Sequence, residues 1–196
     1  MINYIKVAMA GAEDTNKKNE AQALIDWASA EFPHLKTSFP AFPLRPGLWP
    51  PVGGIDSDGA LWLLASQIMA ELEAARGAQV IICSRSFLDI LAWSRYSQTR
   101  TQFDIKENWD WLDMAFDFFE RDWSRTYQTI WHLPLPNSAL PADQPLINSR
   151  EFDDHLSDAC DLFGLDIPIL PWPGPAAAKA DLRTLIEAAF PDGKAG

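Results

Sequence analysis

The chain has 196 residues, 47% of them hydrophobic, and 27 acidic against 16 basic side chains give it a net charge of −11. That length and apolar content suit one α/β domain over 1–196 with a sizeable core, while the acidic balance opposes a broad phosphate-gathering field and hence duplex nucleic acid as a partner. No apolar run approaches the ~18–20 residues that span a bilayer, and the opening MINYIKVAMAG lacks a basic region and a cleavage pattern, so a soluble, cytoplasmic protein without membrane contact is expected.

In chain order, YIKVAMA (4–10) reads as a strand that reaches Gly11 and a polar loop. Ala21, Leu24, Ile25, Ala28 and Phe32 then recur at helical spacing, followed by a short strand over 35–39. The stretch 40–59 is dense in proline and glycine and reads as a long, partly stiff loop. A second helix is expected over 60–76, with Leu61, Leu64, Ala65, Ile68 and Leu72 inward and Gly77 as its stop. QVIIC (79–83) has the unbroken apolar run of a strand buried on both faces. Residues 87–97 read as a helix, and Trp109, Leu112, Phe116, Phe119 and Trp123 keep helical spacing over 106–123. The acidic residues between those aromatics, Asp110, Asp113, Asp117, Glu120 and Asp122, are expected to form the solvated face of that helix, with metal binding as the lesser alternative. A strand over 127–133 follows, then a Pro-rich loop and a helix over 150–163 with Phe152, Leu156, Ala159, Cys160 and Phe163 inward. A strand over 166–170 and a helix over 175–189 end the pattern. Strands alternating with helices predict an α/β fold with a five-stranded parallel sheet covered on both faces.

Cys83 and Cys160 fall in apolar patterns and are expected as reduced, packed thiols. His34, His132 and His155 match no metal-ligand spacing, and no nucleophile elbow G-x-S-x-G occurs, so metal and hydrolase chemistry have no local support.

In an open parallel sheet, ligands bind beyond the carboxyl ends of the strands, which directs attention to the loops after Ala10, Cys83 and Leu133. Gly11-Ala12-Glu13-Asp14-Thr15-Asn16-Lys17-Lys18 has the length and position of the phosphate-binding pattern G-x-x-x-x-G-K-[ST], in which backbone N–H groups and a helix N-terminus cradle phosphates. Gly11 and Lys17 match. Asn16 replaces the second glycine, a substitution eased by the readiness of Asn to take positive φ. Lys18 replaces the Ser or Thr whose hydroxyl would ligate Mg²⁺, and Glu13 and Asp14 bring negative charge to the loop. By itself this pattern also fits an ordinary strand-to-helix turn.

After QVIIC comes Ser84-Arg85-Ser86-Phe87-Leu88-Asp89, an arginine at a strand end followed by a helix. Here the chain resembles the P-loop nucleoside and nucleotide kinases, thymidylate kinase-like and deoxynucleoside kinase-like, with a degenerate Walker A loop. In that superfamily this place carries an acidic residue, then Arg-Ser, and often a second Asp shortly after. Arg85, Ser86 and Asp89 match, and Ser84 departs. The resemblance implies a three-layer P-loop fold and ATP with Mg²⁺. It assigns Gly11, Asp14, Thr15, Asn16, Lys17 and Lys18 to the donor, and Lys17, Arg85, Asp89 and Arg150 to catalysis. Arg150 follows a lid-like segment over 134–150 and would meet charge developing on the transferred group.

The same resemblance gives Phe42, Trp49 and Trp62 to stacking on a base, Gln67 to reading its edge by a bidentate amide contact, and Ser84 with Arg85 to the acceptor. Core burial is the alternative for the rings. Two functions stay open: a phosphotransferase acting on a (deoxy)nucleotide or modified pyrimidine, in which Asp89, Asp14 or Glu13 supplies the missing carboxylate, and a non-catalytic kinase-like fold binding a nucleotide or protein partner. A third, phosphorylation of a base within DNA, is opposed by the acidic balance. The Trp-rich 109–123 helix is a candidate homodimer face, with burial inside one chain as the alternative. Lys17 and Arg85 are expected outside the core.

Overall fold

The computed structural model describes residues 4–12, 15–40, 55–98, 110, 114, 123–133, 135, 149–163 and 168–191. Five strands, β1 (Ile5–Ala10), β2 (Thr37–Ser38), β3 (Val80–Cys83), β4 (Thr129–His132) and β5 (Ile169–Pro171), form one sheet in the order β2-β3-β1-β4-β5. Every pairing is parallel. The longer helices among the described residues are α1 (Lys17–Glu31), α2 (Ser57–Gly77), α3 (Phe87–Gln98), α4 (Ser149–Phe163) and α5 (Pro175–Ala189). This is the α/β parallel-sheet architecture that alternating strand and helix patterns predict. Most of the 106–123 and 134–150 segments, and with them the Trp-rich helix and the lid, lie outside the described residues.

Strand periodicity divides the core into two layers. Ile5, Val7, Met9, Val80, Ile82 and Trp131 pack with Leu24 and Ile25 of α1 and with Leu182 and Ile186 of α5. Ala8, Ala10, Ile81, Cys83 and Ile130 face the other way, onto α2, α3 and α4. Both cysteines are free thiols. No described helix is long and apolar enough to cross a membrane.

Two sequence expectations shift for identifiable reasons. The second helix starts at Ser57 rather than 60, because Asp56 caps it by accepting the Gly59 N–H at 2.7 Å. Its inward face also turns. Leu64 and Ile68 are buried as expected, but Ala60, Leu63, Gln67 and Glu71 complete that face. Leu61, Ala65 and Leu72 are exposed instead.

The cause is a charge on the central strand. Lys6 shares the α2-facing side of β1 with Ala8 and is buried, and a buried ammonium needs a counterion. Glu71 supplies it, with an oxygen 2.6 Å from Lys6 Nζ. The same carboxylate accepts from Gln67 Nε2 at 2.6 Å, Tyr127 Oη at 2.6 Å and Trp123 Nε1 at 3.0 Å, which occupies its acceptor capacity. The Trp123 and Tyr127 rings lie 4.1 and 3.9 Å from Lys6 Nζ and add cation–π attraction. Burial, followed by the Glu71 charge, pushes the Cys83 thiol and Tyr127 hydroxyl well above their ordinary pKa values.

Breaking one member of a buried pair leaves a charge without its counterion. Lys6→Met or Glu71→Leu alone should therefore lower unfolding stability by about 3–5 kcal/mol, and the double substitution should cost less than the sum of the two without returning to the parent value, because Gln67, Tyr127 and Trp123 lose their acceptor. Urea unfolding of the three variants checks this, and additive losses would show that the pair is not the constraint.

Candidate functional site

At the carboxyl end of β1 the backbone enters a close turn that only glycine fits. A Cβ on Gly11 would sit 2.7 Å from Thr15 Oγ1 and 2.9 Å from the Leu133 carbonyl oxygen. Thr15 closes the turn by donating its hydroxyl to Ala12 O at 2.7 Å and its N–H to the same oxygen at 3.2 Å. Asn16 then takes the left-handed conformation, with φ 58°, and α1 starts at Lys17. The replacement of the second glycine by Asn is thus matched by the backbone it adopts. Glu13 and Asp14 lie outside the described residues.

Lys17 turns back under this loop. Its ammonium donates to Gly11 O and, at 3.2 Å, to Ala12 O, and lies 3.1 Å from Asp89 Oδ1. Lys18, next along, is exposed.

The β3-to-α3 junction provides the other wall. Ser86-Phe87-Leu88-Asp89 forms a capping box: Ser86 Oγ accepts the Leu88 N–H at 3.2 Å, and Asp89 Oδ2 accepts the Ser86 N–H at 2.9 Å and its hydroxyl at 3.2 Å. The second carboxylate oxygen, Oδ1, accepts the Gly11 N–H at 3.2 Å. Asp89 therefore joins the loop after β1 to the helix after β3.

Ser84 and Arg85 are buried at this junction, and the Arg85 carbonyl accepts from Gln67 Nε2 at 3.4 Å. Both Gln67 amide hydrogens are thereby directed to Glu71 and Arg85, so the amide does not present the bidentate edge expected of it. Among the described residues its buried Oε1 has no hydrogen-bond partner. Trp62 is 41% exposed, turned away from this buried group by the rotation of α2. Arg150 is exposed in the first turn of α4. One turn on, Asp153 lies 3.2 Å from His132 Nε2, which holds that helix against the end of β4. Cys160, lower on α4, has its pKa pushed up to about 12, chiefly by burial and then by the charge of Asp89. Phe42 and Trp49 lie outside the described residues.

The structure thus brings together Gly11, Thr15, Asn16, Lys17, Asp89, Ser84, Arg85 and Gln67, and leaves Lys18, Trp62 and Arg150 at the surface. Lys17 and Arg85 are only 4% and 7% exposed. This corrects the expectation that they lie outside the core, since each is folded into the strand-end junction. The sequence reading missed Lys6 and Glu71, which steady Gln67. Their signals were a lysine inside an otherwise apolar strand and a Gln–Glu pair four apart on one helix face.

No family model and no curated protein sequence matches the chain. Solved structures do. A thymidylate kinase from Candida albicans is similar at a TM-score of 0.58 and 13% identity, covering 95% of this chain and 92% of that one. NadR, solved in complex with NR, is similar at 0.65 and 13%, with 95% of this chain spanning 51% of that one. A thymidylate kinase from Ehrlichia chaffeensis gives 0.52 and 13%, over 94% and 99% of the two chains. At this identity the likeness establishes a P-loop kinase-like fold.

The close turn makes a steric prediction. Gly11→Ala should cost about 1–3 kcal/mol, because the Leu133 carbonyl is backbone and cannot swing aside. Asn16→Ala should cost about 1–2 kcal/mol through its left-handed φ, and Asn16→Gly little. Chemical unfolding ranks the three, and an unaffected Gly11→Ala would disprove the close packing of the turn.

Proposed function

We propose that the chain is a nucleoside- or nucleotide-kinase-like phosphotransferase that takes ATP as donor and a (deoxy)nucleotide or modified pyrimidine as acceptor. The observation that carries this reading is the Asp89 junction, where one carboxylate joins the Gly11 turn and Lys17 to the segment that begins with Arg85. In this reading the backbone of loop 11–18 and the α1 N-terminus hold the donor phosphates, and Lys17 supplies the fixed positive charge. Asp14, Thr15, Asn16 and Lys18 border the same phosphates. Asp89, reaching in from α3, takes the place of the carboxylate that Ser84 lacks. Arg85 faces the acceptor, and Arg150 meets charge on the transferred group from the α4 side. Phe42 and Trp49 are assigned to the acceptor's base, Trp62 being turned away from it, and Gln67 holds the Arg85 main chain.

The described residues do not fit a resident Mg²⁺. Lys18 stands where a hydroxyl ligand belongs, Thr15 donates its hydroxyl to Ala12 O, and Asp89 is engaged by Lys17 and the capping box. Among the described residues no three His, Cys, Asp or Glu side chains group as a metal site. No step is therefore assigned to the metal. The same departures favour a second reading, a kinase-like fold that binds a nucleotide or a protein partner without turnover.

Calorimetric screening of nucleosides and nucleotides with and without Mg²⁺, followed by a phosphoryl-transfer assay of each ligand found, separates the two. Lys17→Ala and Arg85→Ala should each weaken binding at least tenfold and, because both side chains are buried, should also lower the melting temperature. Unchanged affinity in both variants would favour a protein-binding scaffold.

The altered loop has its own signature. ATP binding by the unmodified chain should be weak and depend little on Mg²⁺, whereas Lys18→Thr combined with Asn16→Gly should confer metal-dependent binding. Tight, strictly Mg²⁺-dependent binding by the unmodified chain would show that the loop is not degenerate.

A further inference from the structure

The two oxygens of Asp89 have separate work. Helix capping is complete with Oδ2 alone, which takes the Ser86 N–H and hydroxyl. Oδ1 is surplus to the cap, and it points into the loop, onto the Gly11 N–H at 3.2 Å and Lys17 Nζ at 3.1 Å. Backbone N–H groups of the loop and the lysine at the helix start are the kinds of group through which such a loop grips phosphate. The lysine is held in this position by two loop carbonyls as well, Gly11 O and Ala12 O. The pair is buried, so the attraction is little screened by salt.

We propose that Asp89 is the resident anion of this cradle and sets which anions it accepts, a phosphate oxygen entering only in exchange for Asp89 Oδ1 on Lys17 and Gly11. This rests on the reading of loop 11–18 as a phosphate site. The displaced carboxylate stays nearby, tethered through Oδ2 to Ser86, and repels the incoming charge at short range. A single phosphate group has few other contacts to set against that repulsion. A chain of two or three phosphates extends past it, toward the N–H groups of the first α1 turn and the exposed Lys18 ammonium. The device therefore selects polyphosphate over orthophosphate, and its selectivity depends on the charge of residue 89 rather than on the shape of the loop. Asn at 89 keeps an acceptor for the Ser86 N–H and removes the charge.

The test is calorimetry of inorganic pyrophosphate and orthophosphate on the unmodified protein and on Asp89→Asn. Pyrophosphate should bind at least tenfold more tightly to the variant, and orthophosphate should gain by a larger factor, narrowing the preference for pyrophosphate. If the unmodified protein binds pyrophosphate and Asp89→Asn binds it equally or more weakly, the exchange is overturned while the kinase-like reading stands. If neither protein binds pyrophosphate or ATP, both fall together. Should Asp89→Asn not melt cooperatively, the Lys17 Hε–Cε resonance of the unmodified protein, assigned with Lys17→Arg, gives the same answer. It should move on saturation with pyrophosphate, and a resonance that stays in place while pyrophosphate binds overturns the exchange.

Discussion

A charge in the middle of a sheet constrains everything packed upon it. Lys6 lies on the central strand with no route to water, and Glu71 is the group that makes its burial tolerable. To reach Lys6, α2 presents Glu71 and, one turn earlier, Gln67 to the sheet, which turns Leu61 and Leu72 to the outside. To satisfy the remaining acceptor sites of Glu71, the chain before β4 brings in Trp123 and Tyr127. Gln67, fixed by Glu71, then reaches the carbonyl of Arg85 at the far end of β3. One ion pair thus links the interior of the sheet to the segment that carries the strand-end arginine.

The second junction, at Asp89, works by division of labour within one side chain. Short capping motifs usually satisfy only their own helix, yet this one has an oxygen to spare for a loop on a neighbouring strand. Position and rigidity come from the cap, and charge comes free of it. The arrangement explains how the described residues of a loop that departs from its pattern at two positions are held in place. Gly11 is enforced by the Leu133 carbonyl, Asn16 is suited to its φ, and Lys17 is held by an ion pair.

The fold was legible because its signals are periodic and local. Apolar runs marked the four longer strands, and the repeats Leu24–Ala28 and Phe152–Leu156 marked helix faces that the structure keeps. The Gly11 turn was visible as a motif, and so was Arg85. What could not be read was direction inside the core. Periodicity gives the orientation of α2 from its apolar residues, but a polar pair can outweigh a leucine when the alternative is an unmet charge, and Glu71 did. The burial of Lys17 and Arg85 escaped for a related reason, since composition treats cations as surface residues unless their partners are known. The Ser86–Asp89 box was present as S-x-x-D, a signal that points to a helix start and, only in three dimensions, to the loop after β1.

The order β2-β3-β1-β4-β5 places the first strand of the chain at the centre of the sheet. Its neighbours are made much later: the Lys6 backbone meets Gln128, 122 positions downstream. During synthesis, then, β1 emerges as an apolar ribbon with both hydrogen-bonding edges open. It gains a partner on one side when β3 follows, and on the other only after β4 has left the ribosome. Such an edge invites pairing with foreign strands. The ammonium of Lys6, embedded among Ile5, Val7 and Met9, is the one charge on that ribbon, and its enclosure is complete only once Glu71 and finally Tyr127 have been made.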